Sequence, residues 1–147
     1  MISPEMLRRY PCFVPIDEES LKQVAMISRE HHVPADTMMF YEGDPADSLY
    51  LIVEGEVNID YVLGSGERRT VDTLVQGDLL VWSALVAPYR TTGIGTTTKE
   101  THLIAIDAGK LRELCERFPL LGYRLMTGVA NLLASRLEGA RVQLAVV

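Results

Sequence analysis

At 147 residues and a net charge of −6, the chain is sized for one domain with a sizeable core, and its charge opposes a phosphate-coated partner such as DNA or RNA. It is 48% hydrophobic and 23% charged, the balance of a globular domain, and apolar runs as short as Leu79–Trp82 and Leu144–Val147 exclude a bilayer-spanning helix. No apolar stretch of signal-peptide length follows the N-terminus, so the expected location is the cytoplasm, away from any membrane.

The first 32 residues read as helical. Ser3 precedes Pro4 and Glu5, a capping residue followed by proline at the first helical position. After Pro11 and Pro15, the stretch IDEESLKQVAMISRE places Ile16, Leu21, Val24, Ala25 and Ile27 on one face, with Asp17 as cap. His31-His32 is expected at the exposed end of that helix. Together with His102 it forms no metal triad, and no metal site is expected. Cys12 and Cys115 lie far apart in apolar contexts and read as reduced, structural thiols.

From Val33 to Asp107 the period is that of strands. TMMFY, SLYLIVEG, EVNIDYVL, RTVDTLVQ, RTTGIGTTT and THLIAID are separated by EGDPAD, GSGERR, QGD and KE, all turn chemistry. Such spacing without helical crossovers predicts an antiparallel sandwich or barrel. Gly43 and Gly55 stand where turns favour positive φ. TTGIGTT lacks the third glycine and the following helix of a dinucleotide fingerprint, and Ser83 sits in no nucleophile elbow. No catalytic residue and no enzymatic activity are expected.

Residues 108–147 return to helix, with Asp107 capping AGKLRELCERF and Pro119 opening a long final segment. In that segment Met126, Ala130, Leu133, Leu137, Ala140, Leu144 and Val147 are spaced alternately by four and three, a coiled-coil seam with small alanines for close approach. The spacing predicts a homodimer through paired C-terminal helices. Leu125, Val129 and Leu132 offer a second face on which the helix can lie against its own barrel, either in place of pairing or together with it, one face per partner.

The stretch FYEGDPADSLYLIVEGEV, residues 40–57, resembles the signature of the cyclic-nucleotide-binding domain family, the sensor module of catabolite-activator-type regulators. The matching residues are Gly43, Asp44, Ala46, Asp47, Leu49, Tyr50 and Gly55, and the order of elements fits along nearly the whole chain. The resemblance implies a single domain: an antiparallel eight-stranded jelly roll (double-stranded β-helix) over 33–107, helices over 1–32, and a long dimerisation helix within 108–147. It also implies a phosphate-binding cassette, in which helix-start amides and an arginine hold a cyclic phosphate and a glutamate reads the ribose hydroxyl. In this chain the cassette falls on QGDLLVWSALVAPYRTTG. Gly77-Asp78 matches its lead-in turn, Arg90 its arginine and Thr91 the residue that follows.

The Gly-Glu pair, however, falls on Val81-Trp82, and the small-then-hydroxyl pair on Thr92-Gly93. Losing the acid costs about 1.5–3 kcal/mol, roughly ten- to a hundredfold in affinity. Trp82 either fills the sugar and base region or offers a stacking surface, with Ser83 replacing the lost polar contact. Arg90 either meets an anion or pairs with a carboxylate or backbone carbonyl.

The expected ligand site is therefore Val81, Trp82, Ser83, Ala84, Arg90, Thr91 and Thr92, with Arg141 reaching in from the last helix. Its ligand is a cyclic nucleotide (cAMP or cGMP) or another small anion. The expected role is a stand-alone homodimeric sensor, read by a partner protein through its C-terminal helices. The alternative is a degenerate domain without ligand, serving as a dimeric scaffold. No DNA-reading module follows the last helix as the sequence stands, so direct DNA binding is not expected.

Overall fold

The computed structural model describes residues 1–146. Its strands are β1 (Ser28–Val33), β2 (Met38–Phe40), β3 (Ser48–Glu54), β4 (Glu56–Val62), β5 (Arg68–Val75), β6 (Leu79–Leu80), β7 (Ile94–Thr97) and β8 (Thr101–Asp107). They form two four-stranded antiparallel sheets, ordered β1-β8-β3-β6 and β2-β7-β4-β5. This is the expected jelly roll. The strands of the first sheet carry Leu49, Leu51, Ile52, Leu103, Ile104 and Ile106, all fully buried. Each such side chain contributes about 1.5–3 kcal/mol by leaving water.

The helices are α1 (Pro4–Leu7), α2 (Glu18–Met26), α3 (Ala108–Arg117) and α4 (Pro119–Val146). Asp17 caps α2 by accepting from the Ser20 amide at 3.0 Å, and Asp107 caps α3 by accepting from Lys110 at 2.8 Å. Ser3 occupies the capping position of α1, but its side chain makes no capping bond. Gly43 and Gly55 take φ of 88° and 119°, as their turns require.

Three boundaries differ from the sequence reading. The β region begins at Ser28 rather than 33, because α2 stops at Met26 and His31-His32 lies on β1, not on a helix end. Ser28 and Val33 are the buried residues of this edge strand, and the four polar residues between them show no strand alternation. Its pairing with β8 supplies what the pattern lacks, and there His32 stacks on His102 with centroids 4.2 Å apart. The strand expected over 90–98 shrinks to β7, while Leu79–Leu80, read only as an apolar run, pairs with β3 as β6.

Helix α4 divides by face. Leu121, Leu125 and Val129 are buried, and Leu132 packs against the core. Gly128 allows the close approach, since a Cβ there would lie 2.8 Å from the Cβ of Cys12. Burial pushes the Cys12 thiol up to about 12, so it is an inert packing group. The expected seam lies on an adjacent face. Met126, Leu137 and Leu144 are exposed by 39%, 62% and 76%, Ala130 and Ala140 are exposed, and Leu133 is half-buried. Val147, the last seam position, lies outside the described residues.

Candidate ligand-binding site

The cassette begins at a tight turn in which Gly77 takes φ 92° and the Asp78 carboxylate accepts from the Val75 amide at 2.8 Å. After β6 the chain reverses at Val81, whose φ of 66° and ψ of 56° put a β-branched residue in the left-handed region. That conformation costs about 1–3 kcal/mol, offset by burial of the side chain in the core. A single 3₁₀ turn follows, Trp82–Ala84, too short to present a helix dipole.

The far end of the cassette is stitched to the turn before β3. The Ala46 amide donates to Tyr89, the Thr91 amide to Asp44 and the Gly43 amide to Thr91, each at 2.9 Å. The Thr91 hydroxyl adds a bond to the Tyr41 carbonyl at 2.6 Å. The signature residues Gly43 and Asp44 are thus fasteners for residues 89–91, a structural role.

Two arginines that sequence reasoning left out hold the cassette from the C-terminal helices. Arg112 of α3 donates to the Ala84 carbonyl at 2.7 Å and lies 4.2 Å above the Tyr89 ring. Arg136 of α4 donates to the Leu79 carbonyl at 3.0 Å and lies 3.7 Å from Asp72 of β5. The second contact is partly solvated and contributes at most about 1 kcal/mol. Arg112→Ala is expected to cost about 1–2 kcal/mol and to speed hydrogen exchange at the Leu85, Val86 and Tyr89 amides. Unchanged exchange at those amides would show that the cassette holds its shape without Arg112.

Between the cassette, β4, β5 and α4 lies a partly open cavity of about 790 Å³, a size suited to a small molecule. Val81, Trp82, Ser83, Thr91 and Thr92 line it, as do Leu133, Leu137, Ala140 and Leu144 of the seam. Ala84 is fully buried and is not among the residues that line it. Two expected residues stand elsewhere. Arg90 is exposed and donates to the Gly43 carbonyl at 2.9 Å, and Arg141 is exposed, 3.9 Å from Glu138. Neither is among the residues that line the cavity.

The cations that do line it are Arg69 and Arg136. In the sequence Arg69 is an arginine next to Arg68, with nothing that directs it to this cavity. Arg136 lies beside the seam residue Leu137, but spacing alone does not reveal its reach to β6.

The smallness of Gly93 serves the wall rather than a ligand. A Cβ there would lie 2.9 Å from the Tyr61 ring, and one at Gly95 would run into the Phe40 ring. Both rings line the cavity. Among the described residues, no group of His, Cys, Asp and Glu is arranged to hold a metal, and no helix is long and apolar enough to cross a membrane.

Comparison with known proteins agrees with this architecture. A model of the cyclic nucleotide-binding domain matches residues 30–118, more than half of the chain. A crystal structure of a protein of Geobacter metallireducens described as cyclic nucleotide-binding superposes with a TM-score of 0.85 at 37% identity, covering 93% of this chain and 99% of that one. The cyclic AMP receptor protein of Thermus thermophilus is 27% identical over 134 residues, 91% of this chain and 60% of the receptor. An uncharacterized NTE family protein of Mycobacterium tuberculosis is 27% identical over 128 residues, 86% of this chain but 21% of that protein. The chain therefore spans about a fifth of the NTE family relatives and three fifths of the receptor. With the jelly roll formed and the family model matched over more than half of its length, the chain belongs to the cyclic nucleotide-binding domain family.

Proposed function

We propose that the chain is a sensor domain that takes a small anionic ligand into the cavity beside Trp82 and passes the event to α4. In this reading it works as a homodimer through Met126, Ala130, Leu133, Leu137, Ala140 and Leu144, and a partner protein reads the shift. The observation that carries the proposal is that a single cavity of about 790 Å³ has the cassette on one side and α4 on the other. A ligand there touches the stretch in which Val81-Trp82 stands where the family has its Gly-Glu pair, and the helix that carries the proposed seam. Support for a regulatory role comes from the family itself and from the likeness to the Thermus cyclic AMP receptor protein. Ligand binding shifts α4 only if the two positions of the helix bind the ligand differently. The bond from Arg136 to Leu79 supplies a contact that can differ.

Trp82 is the only tryptophan and lines the cavity, so its emission reports on occupancy almost alone. Emission and α4 hydrogen exchange would be followed against cAMP, cGMP, cyclic di-GMP and organic anions of graded hydrophobicity. The expected result is a saturable Trp82 response to at least one of them, with slowed exchange over residues 133–140. Silence toward every probe would sink the sensor reading and leave the dimeric scaffold.

A further inference from the structure

The cavity lining is mostly apolar, with Ser83, Thr91 and the Asp72–Arg136 pair as its polar groups besides Tyr61, Arg69 and Thr92, and this balance says what kind of molecule fits. On its wall, Tyr61 of β4 and Arg69 of β5 are cross-strand partners, and the Tyr61 ring lies against Gly93, next in the chain to Thr92. These three exposed polar residues line the cavity together. Arg69 has no ion-pair partner among the described residues. The carboxylates near it are engaged, Asp60 with Arg68 at 3.2 Å and Asp72 with Arg136 at 3.7 Å. The remaining surface is dominated by aliphatic and aromatic side chains, among them Leu74, Leu80, Val81, Trp82 and Leu133.

A cyclic nucleotide carries polar atoms all round, on sugar, phosphate and base edge, and each one buried needs a partner. Here the Thr91 hydroxyl is committed to Tyr41 and Arg136 to Leu79 and Asp72, while Arg90 lies outside the lining. The buried Ser83 is the polar side chain left to the apolar part. The position of the ribose-reading acid is held by an indole.

We infer that the ligand is an anionic amphiphile with a single aliphatic chain, its carboxylate at Arg69, Tyr61 and Thr92 and its chain along Leu74, Leu80, Trp82 and Leu133. The inference rests on the sensor reading above, and it names the ligand class that the same cavity takes. Arg69 gives a charge-assisted bond at the open mouth, and the chain displaces water from the apolar wall.

The test titrates Trp82 emission with octanoate, decanoate, dodecanoate and decanol below their micelle concentrations, alongside cAMP. Affinity is expected to rise about fourfold per added methylene, the ratio that corresponds to about 0.8 kcal/mol. Decanoate is expected to bind about tenfold or more tightly than decanol. In Arg69→Gln that preference should vanish while decanol binding stays the same, a difference that general unfolding cannot produce. A flat dependence on chain length, or a carboxylate preference that survives Arg69→Gln, overturns the amphiphile assignment. A Trp82 response to cAMP with none to the alkanoates overturns it too, but leaves the sensor reading standing. Silence toward all of them and toward cGMP and cyclic di-GMP overturns both.

Discussion

Met126→Glu combined with Ala130→Glu is expected to turn the proposed dimer into a monomer. Both residues lie on the outer stripe of α4, exposed in the single chain, and neither lines the cavity. An adjacent face of the helix is already spent, with Leu121, Leu125 and Val129 buried against the domain. A seam at 126–144 would bring each glutamate near its symmetry mate and bury charge without a counter-ion. One unpaired buried charge costs several kcal/mol, so dimer dissociation should strengthen by about a hundredfold or more. Sedimentation at a concentration where the parent chain is a dimer checks this. A variant that stays dimeric, or a parent that is monomeric at every concentration, would remove the seam. Because the pair spares the cavity, the Trp82 response to ligand should persist in the variant. Leu133→Glu and Leu137→Glu, also seam positions, would disturb both functions at once.

Gly55→Ala should cause the largest loss of stability from a single methyl. Gly55 links β3 to β4 at φ 119°, and a Cβ there would lie 2.6 Å from the Thr101 Cα and 2.5 Å from its Oγ1. Thr101 is fully buried, and its hydroxyl bonds the Lys99 carbonyl at 2.9 Å, so it has nowhere to retreat. The unfavourable φ and the overlap with backbone together cost about 3–5 kcal/mol. That lowers the melting temperature by roughly 10 °C. Gly66→Ala is the matched control, with φ 87° and nothing within 4 Å of the added Cβ. It should pay only the conformational part, about 1 kcal/mol. Equal losses at the two glycines would mean that the contact with Thr101 does not matter.

The jelly roll was readable from the sequence wherever side-chain patterning and turn chemistry spoke together. β3 shows this best, because its apolar residues stand between two turn glycines that do adopt positive φ. β1 and β6 were not readable, for opposite reasons. SREHHV hides its two buried ends behind polar residues, and Leu79–Leu80 is too short to show any period.

The site was half legible. The residues of the cassette turn could be placed by position, and Val81, Trp82, Ser83, Thr91 and Thr92 all face the cavity. The direction of an arginine side chain could not be read that way. Arg90 follows the turn correctly yet ends on the Gly43 carbonyl, while Arg69, Arg112 and Arg136 come from three other elements. A long flexible side chain has its partner chosen by tertiary contacts, and local spacing carries no record of that choice.

Leu133, Leu137, Ala140 and Leu144 belong to the cavity wall and also to the seam through which two chains are proposed to pair. Two events that draw on the same four side chains share one free-energy coupling. Ligand occupancy then alters the dimer constant by the same factor by which pairing alters affinity for the ligand. A dose-response curve measured on dilute protein would not superpose on one measured on concentrated protein. The abundance of the chain would set the threshold at which it answers.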